Sequence, residues 1–534
     1  MQKIWLWIAI AATLAIRLWF TVVRRIDSDE PQHLHVAWAW TQGLVQYRDV
    51  FDNHLPLLHM LYAPVMALMP ESSTVFLFMR LAILPFAVAC AWLVYVAARP
   101  LYGAWTATVA ALTFSVLPPW LAKSAEFRND TLWIFFWLAA LALVVRRRWF
   151  WAGVAMGLCF LASIKTVPLV LAHLLAYATF PSGATGSQPV DRGGRAGPSL
   201  QILAGGALPP LIVFAVMAAF GALDDLFYAN LFFNAAAPVS AARRIAGLIG
   251  FAIVGPSIVY FGRKVRDRYE YATMHLILFS CWFIAVMLAF WPILTSRDFL
   301  PLAPPAALAI AYWSAGVPRR RSVALILALA TIASAIDARI WRIHEPTRHQ
   351  FVDAAVQLTA PNDYVLDLKG DAVFRRRATR YIYEDVGRAL TEQGLLADEG
   401  PEEIIEKGCC AAMADSTHLP PRTRDFLNRY FVGPGSIRVC GTNVQGNEFE
   451  IAVPQTYAVV SASSSPVLLD GKPYDGPRYL EAGRHTLSGA DSATVIWARA
   501  LAKPEAAPEL RAMISGVAGP AVAARQTPSS SRRE

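Results

Sequence analysis

Eleven apolar runs, separated by short polar or charged loops, dominate the first 336 residues. They fall at 4–23, 74–98, 104–122, 131–146, 150–164, 167–180, 201–220, 245–261, 271–291, 299–316 and 322–336. A helix of about 20 apolar residues crosses a bilayer, because each residue advances about 1.5 Å through about 30 Å of hydrocarbon. The pattern therefore predicts about eleven transmembrane or re-entrant helices. The runs 150–164 and 167–180 are short, and read as a hairpin of short helices meeting at Lys165 or as a re-entrant element. The first run lacks a small-residue cleavage site and more spans follow, so it reads as an uncleaved helix.

The loop at 24–73 is long and half apolar. Residues 31–43 are expected to form a short helix lying along the membrane surface and ended by Gly43, and residues 54–69 a second. Loop 221–244 has a similar texture, whereas 181–200, rich in Gly, Ser and Pro, reads as a flexible inner loop. Beyond 337 the periodicity changes. Residues 346–357 look helical, and Tyr364–Leu368 alternates like a strand before a Gly-Asp turn. Short strands are expected at 456–462, 466–469 and 493–498. The fold class is thus a polytopic α-helical membrane protein (1–336) with an extracytoplasmic α/β to β-rich domain (337–515) and a disordered tail (516–534).

Composition agrees. The 534 residues are 56% hydrophobic and 16% charged, with mean hydropathy +0.40; a soluble chain carries about 25% charged residues. The net charge of +9 does not point to nucleic acid, since no basic stretch is long or interleaved with aromatics. Its excess lies in loops such as Arg146-Arg147-Arg148, Arg263–Arg268 and Arg319-Arg320-Arg321. Cytoplasmic loops are enriched in Lys and Arg, so these define the inner side. The opposite loops carry Asp27, Asp29, Glu30, Glu126, Asp130, Asp224, Asp225 and Asp298, and an odd number of spans puts the C-terminal region with them. There Cys409 or Cys410 can bridge to Cys440, or all three are free thiols, while Cys90, Cys159 and Cys281 sit in spans as inert core residues.

Carboxylates at the mouth of a span are costly and usually kept for binding or chemistry. Asp29 and Glu30 follow the first span, and Glu126-Phe127-Arg128-Asn129-Asp130 ends the third. Joining a sugar to a hydroxyl at a membrane face requires a carboxylate base, cations to hold a departing phosphate and a route for a lipid tail. Asp29 suits the base, Glu30 and Asp130 orient the acceptor or the base, and Lys165 and Arg297 suit the phosphate, with Arg128, Arg243 and Arg244 as lesser candidates. Lys165 read alone is equally a snorkelling anchor. His33, His35, His54 and His59 with the acidic loop make a divalent metal possible, although no metal-binding spacing is present.

The order of these elements resembles the GT-C glycosyltransferases, in particular the bacterial protein O-mannosyltransferase-like and lipid A aminoarabinose transferase-like members, including rhizobial lipopolysaccharide core glycosyltransferases. The residues concerned are Asp29-Glu30, then Tyr47-Arg48-Asp49, then Asn53-His54-Leu55-Pro56-Leu57. Arg128-Asn129-Asp130 follows the third span, Gly153 and Gly157 precede Ser163-Ile164-Lys165-Thr166, and Arg297-Asp298-Phe299-Leu300-Pro301-Leu302-Ala303-Pro304 comes late. The resemblance covers roughly 1–340. It implies a polyprenyl-phosphate sugar donor, a glycan, lipid or protein hydroxyl acceptor, inversion at the anomeric carbon and an extracytoplasmic site in the bacterial inner membrane. It also implies that Asp29 is the catalytic acidic residue and Asp130 the second acidic position, with Tyr47, Asp49 and His33 at the substrate; His33 stands where many members have an aromatic residue. A transporter or flippase is the rival reading, weakened because the acidic residues gather at one face and not at the midplane, without an internal repeat. A membrane sensor working through its C-terminal domain is another.

Overall fold

A computed structural model describes residues 2–180, 197–237, 239–265, 270–314, 319–338, 347–414, 417–433, 435–461, 466–490 and 492–503. The expected inner loop over 181–196, most of the basic run after Arg263 and the expected tail lie outside these residues. The chain divides into two compact units, residues 1–69 with 75–344, and 70–74 with 345–534.

The first unit is helical. Its helices are α1 (Gln2–Val23), α2 (Asp29–Thr41), α3 (Leu57–Met66), α4 (Val75–Val116), α5 (Trp120–Lys123), α6 (Asn129–Val145) and α7 (Trp149–Ala162). They continue with α8 (Thr166–Thr179), α9 (Pro198–Ala219), α10 (Leu223–Phe227), α11 (Ala241–Lys264), α12 (Tyr271–Phe290), α13 (Ala303–Trp313) and α14 (Arg319–Ala338). Among the described residues five helices are long and apolar enough to cross a membrane, namely α1 from Ile4, α4, α9, α11 and α12. Large apolar side chains such as Trp7, Leu203, Ile253 and Leu329 stand exposed on this unit. Water would penalise such a surface, but lipid tails do not. The chain is a multi-pass membrane protein.

Where the runs and the helices differ, the reason is local. Runs 74–98 and 104–122 become one element, α4, bent at Gly103, whose φ of +79° only glycine takes up without strain. Run 299–316 is split into a 3-10 turn, Ser296–Leu302, and α13, with prolines at the join. The short pair is two helices, α7 and α8, broken at Ser163–Lys165. The largest correction concerns α2. It ends near Gly43 as expected, but residues 30–39 are all buried, so it is packed on all sides by protein and has no exposed apolar face. Gln32 and His33 are tolerated inside because they bond to Asp52, His54 and His59.

Helices α7 and α9 come together at backbone distance. A Cβ placed on Gly153 would sit 2.2 Å from the Ile202 carbonyl oxygen, and one on Gly205 2.1 Å from that of Phe150. Small residues allow this approach, and dispersion contacts are the main attraction between helices in lipid. The break after α7 then delivers Lys165.

The second unit contains α15 (Thr347–Leu358), α16 (Asp385–Glu392), α17 (Gly400–Glu406), α18 (Pro421–Tyr430) and α19 (Ala498–Ala502). Its strands are β1 (Tyr364–Val365), β2 (Arg376–Arg377), β3 (Ala411–Met413), β4 (Phe431–Val432), β5 (Ile437–Gln445), β6 (Glu448–Ile451), β7 (Gln455–Ser461), β8 (Leu468–Leu469), β9 (Lys472–Pro473), β10 (Arg478–Leu480), β11 (Gly483–Ser488) and β12 (Ser492–Trp497). The main sheet runs β10-β7-β12-β5-β3, with β4 also on β5, and a smaller one runs β6-β11-β8-β9. Inward residues such as Val439, Val495, Ile496 and Leu427 form one apolar core. Cys410 is bonded to Cys440, and Cys409 is a buried free thiol.

Candidate active site

The corner between α1 and α2 collects charge from four distant parts of the chain. Arg128, just before α6, reaches Asp27 at 2.5 Å, pairs with Asp29 and lies 3.3 Å from Asp130. Arg297, in the 3-10 turn before α13, bridges the same two loop carboxylates, at 2.9 Å from Asp29 and 2.8 Å from Asp27. Lys165, at the α7–α8 break, holds Asp130 and Asp298, each at 2.9 Å, and lies over the Trp133 ring. Lys123, at the end of α5, lies 3.6 Å from Asp27 and 3.1 Å from Glu126. Five carboxylates thus face four cations. Such a cluster survives away from water because every charge has a counterion.

Exposure differs across the cluster. The Arg297, Asp29, Lys165, Asp27 and Lys123 side chains retain 18%, 15%, 13%, 12% and 11% of their accessibility, while Arg128, Asp298 and Asp130 retain 4%, 4% and 1%. Arg297, Asp29, Lys165, Asp27 and Lys123 form the more open edge, and Arg128, Asp130 and Asp298 form the backing. Local structure fixes the edge. Thr295 opens the 3-10 turn with a capping box in which the Asp298 carboxylate accepts its N–H at 2.7 Å and its hydroxyl at 2.8 Å. Burial alone would raise the proton affinity of Asp27, but Arg128, Arg297 and Lys123 outweigh both that and the nearby Asp29, and hold it well below the usual carboxylate range. Glu126 goes the other way. Burial and the Asp27 charge raise its pKa against Lys123 and Arg24.

Glu30 lies elsewhere than the sequence suggests. It is fully buried, and the Arg80 guanidinium of α4 grips it at 2.7 and 2.5 Å. It also accepts the Asp27 N–H at 2.8 Å and the Phe127 N–H at 3.0 Å. Arg80 in turn donates to the carbonyls of Thr21, Arg24 and Arg25. The pair ties together α1, α2, α4 and the Glu126–Arg128 loop, and with its acceptor sites filled Glu30 is a brace beside Asp29.

Tyr47 and Asp49 shape the first loop. Tyr47 is buried with a φ of +76°, and its hydroxyl donates to the His54 carbonyl at 2.8 Å. Asp49 accepts the Val45 N–H and pairs with Arg48. His33 is buried on α2, with Nδ1 2.9 Å from His59 Nε2. Among the described residues no three His, Cys, Asp or Glu side chains are grouped to hold a metal ion. Asp27, Lys123, Asp298, Arg24 and Arg80 were not picked out as site residues by sequence. Asp27 and Asp298 stand out in the sequence only as acidic residues of the outer loops, Asp298 also within the Arg297–Pro304 element; Arg80, inside an apolar run, gave only its charge.

Residues 53–187 match the family described as dolichyl-phosphate-mannose-protein mannosyltransferase. A search of curated protein sequences finds no match. Among solved structures, ArnT from Cupriavidus metallidurans in the apo state is similar at a TM-score of 0.55 and 14% identity, over 82% of this chain and 98% of that one. The same protein bound to undecaprenyl phosphate matches at a TM-score of 0.55 and 13% identity, over the same shares of 82% and 98%. An Archaeoglobus fulgidus oligosaccharyltransferase in complex with zinc and sulfate gives 0.45 and 13%, over 79% and 71%. The matched segment contains Arg128, Asp130 and Lys165, and the shared fold spans both the helical unit and part of the β-rich one. Over these residues the chain is similar to that family, and the likeness to ArnT shows a shared fold.

Proposed function

We propose that the protein transfers a sugar from a polyprenyl-phosphate donor to a hydroxyl of a cell-envelope glycan, lipid A or a protein, with inversion, at the extracytoplasmic face of the bacterial inner membrane. The observation that carries this reading is the open edge of the cluster, where Asp29 shares Arg297 with Asp27 and Lys165 stands nearby on its own carboxylates. The similarity to ArnT, solved with undecaprenyl phosphate, supports the choice of a lipid phosphate.

Asp29 takes the proton of the acceptor O–H. That oxygen bonds to the anomeric carbon on the face opposite the phosphate, and the bond from carbon to phosphate oxygen breaks, its electron pair leaving on the phosphate. The phosphate leaves as a stable anion, so no strong general acid is required. Arg297 and Lys165, both partly exposed, offset its charge, while Arg128 keeps Asp29 oriented from behind. The same geometry couples binding to chemistry. A carboxylate held by two guanidiniums is a poor base, and a phosphate that draws Arg297 away raises its proton affinity. Asp130 and Asp298 hold Lys165 in place. The lipid tail packs between helices, where each buried CH₂ contributes about 0.8 kcal/mol.

The test is mass spectrometry of lipid-linked sugars and envelope glycans in a strain lacking the protein. The expected result is an accumulated donor lipid and a missing sugar, both restored by the wild-type chain but not by Asp29→Asn. Unchanged glycans and donor lipids would overturn the transfer reading.

A further inference from the structure

The first loop and α2 bury a chain of hydrogen bonds that this chemistry has not used. Gln46 is oriented by two neighbours of opposite kind. Its Nε2 donates to Asp52 Oδ2 at 2.7 Å, and its Oε1 accepts the Trp40 indole N–H at 3.4 Å. An indole only donates and an ionised carboxylate only accepts, so the amide cannot be reversed. His59 Nδ1 lies 3.2 Å from the same Gln46 Oε1 and 3.6 Å from Asp52, and must carry the proton. Its Nε2 is then a lone pair, 2.9 Å from His33 Nδ1. His33 therefore donates from Nδ1 and keeps a lone pair on Nε2. That atom is buried and has no hydrogen-bond partner. A buried acceptor without a donor is unfavourable, which marks a place for one.

The surroundings keep the ring neutral. Asp29, His54, His59 and Arg128 act on it electrostatically; burial, His54 and His59 hold its pKa well below the usual histidine value, with Arg128 in the same direction and Asp29 opposing. His59 is lowered to about 4 by burial, with His54 in the same direction and Asp52 opposing. Asp52 accepts from Gln32 at 2.5 Å and pairs with His54 at 3.0 Å, so the far end of the chain is anchored. Asp29 and His33 are four residues apart on α2 and share a face.

We propose that His33 Nε2 accepts a hydrogen bond from a second hydroxyl of the polyhydroxylated acceptor substrate bound at Asp29, with His59, Gln46 and Asp52 as positioning residues that hold the tautomer. This rests on the reading of Asp29 as base. The cations of the cluster only donate hydrogen bonds, so a substrate rich in O–H groups needs lone pairs. Asp29 supplies one for the reacting hydroxyl, and the neutral His33 supplies another without adding charge beside the phosphate cations.

The full chain is tested by complementation of the deletion strain and by ¹⁵N NMR of the histidine-labelled protein in lipid nanodiscs. His33→Phe is expected to lower sugar incorporation roughly ten-fold, the scale of one lost hydrogen bond in the transition state. His33→Gln, with a carbonyl able to reach the Nε2 position, restores most of it. In the wild type the His33 resonances, assigned by their loss in the Gln variant, should show a protonated Nδ1 and a bare Nε2, and Gln46→Leu should mix the tautomers. A protonated Nε2, or His33→Phe at wild-type activity while Asp29→Asn is inactive, would overturn this proposal alone. Full transfer by Asp29→Asn would overturn the base reading and this proposal with it.

Discussion

Glu30→Gln separates bracing from chemistry within one dipeptide. Four donors converge on the Glu30 carboxylate: Arg80 Nε and Nη2 at 2.7 and 2.5 Å, and the N–H groups of Asp27 and Phe127 at 2.8 and 3.0 Å. An amide offers a single acceptor oxygen and turns its NH₂ toward donors, so about half of these bonds are lost. The buried Arg80 also loses its counterion. Removing one partner of a buried ion pair costs about 3–5 kcal/mol. The expected outcome is a melting temperature several degrees lower, measured by intrinsic fluorescence in detergent or lipid, with transfer per folded molecule largely retained. Replacing both partners, Glu30→Leu with Arg80→Met, should recover part of the loss. Recovery stays incomplete because Arg80 also holds three carbonyls of the α1 end. Asp29→Asn should behave in the opposite way. Its partners are Arg128 and Arg297, it sits beside the like charge of Asp27, and it is partly open, so stability changes little while transfer is abolished. Glu30→Gln with an unchanged melting temperature and no transfer would refute the brace and return Glu30 to the chemistry.

Arg297→Ala should weaken binding of undecaprenyl phosphate about ten-fold or more, the scale of a charge-assisted hydrogen-bonded contact, and equal affinity in a scintillation binding assay would remove Arg297 from the phosphate site. Gly153→Leu forces α7 from the α9 backbone, which a Cβ would approach to 2.2 Å, so the yield of folded protein by size-exclusion should collapse; a normal profile would contradict the close packing. In the second unit, burial and the Asp371 charge push the Asp367 carboxyl up to about 7. A carboxyl raised on folding contributes its stability below the unfolded pKa and loses it as pH rises through the folded value. Between pH 4 and 7 the wild type should therefore lose melting temperature relative to Asp367→Asn, and parallel curves for the two would refute the shift.

Much of this was legible in order along the chain. Spans such as α1, α9 and α12 are continuous apolar runs because lipid accepts apolar side chains all round, so no tertiary knowledge is needed to find them. The break between two short helices at Lys165 was readable from the lengths of the runs on either side, and Asp29, Asp130 and Arg297 from their positions at helix mouths. The all-round burial of α2 escaped the sequence for a definite reason. Its His and Gln residues look like a wet face, and only their bonding to Asp52, His54 and His59, 20 or more residues away, makes burial tolerable.

Hydropathy and charge, being local properties, determined on their own that the chain enters a membrane repeatedly, that its acidic loops gather on one side and that a β-rich unit follows. Which carboxylate braces and which stands open was decided by tertiary structure alone. Asp29 and Glu30 are adjacent and chemically alike, and they differ only because successive helical residues point about 100° apart. One direction meets Arg80 inside the bundle, and the other meets Arg128 and Arg297 at its partly open edge.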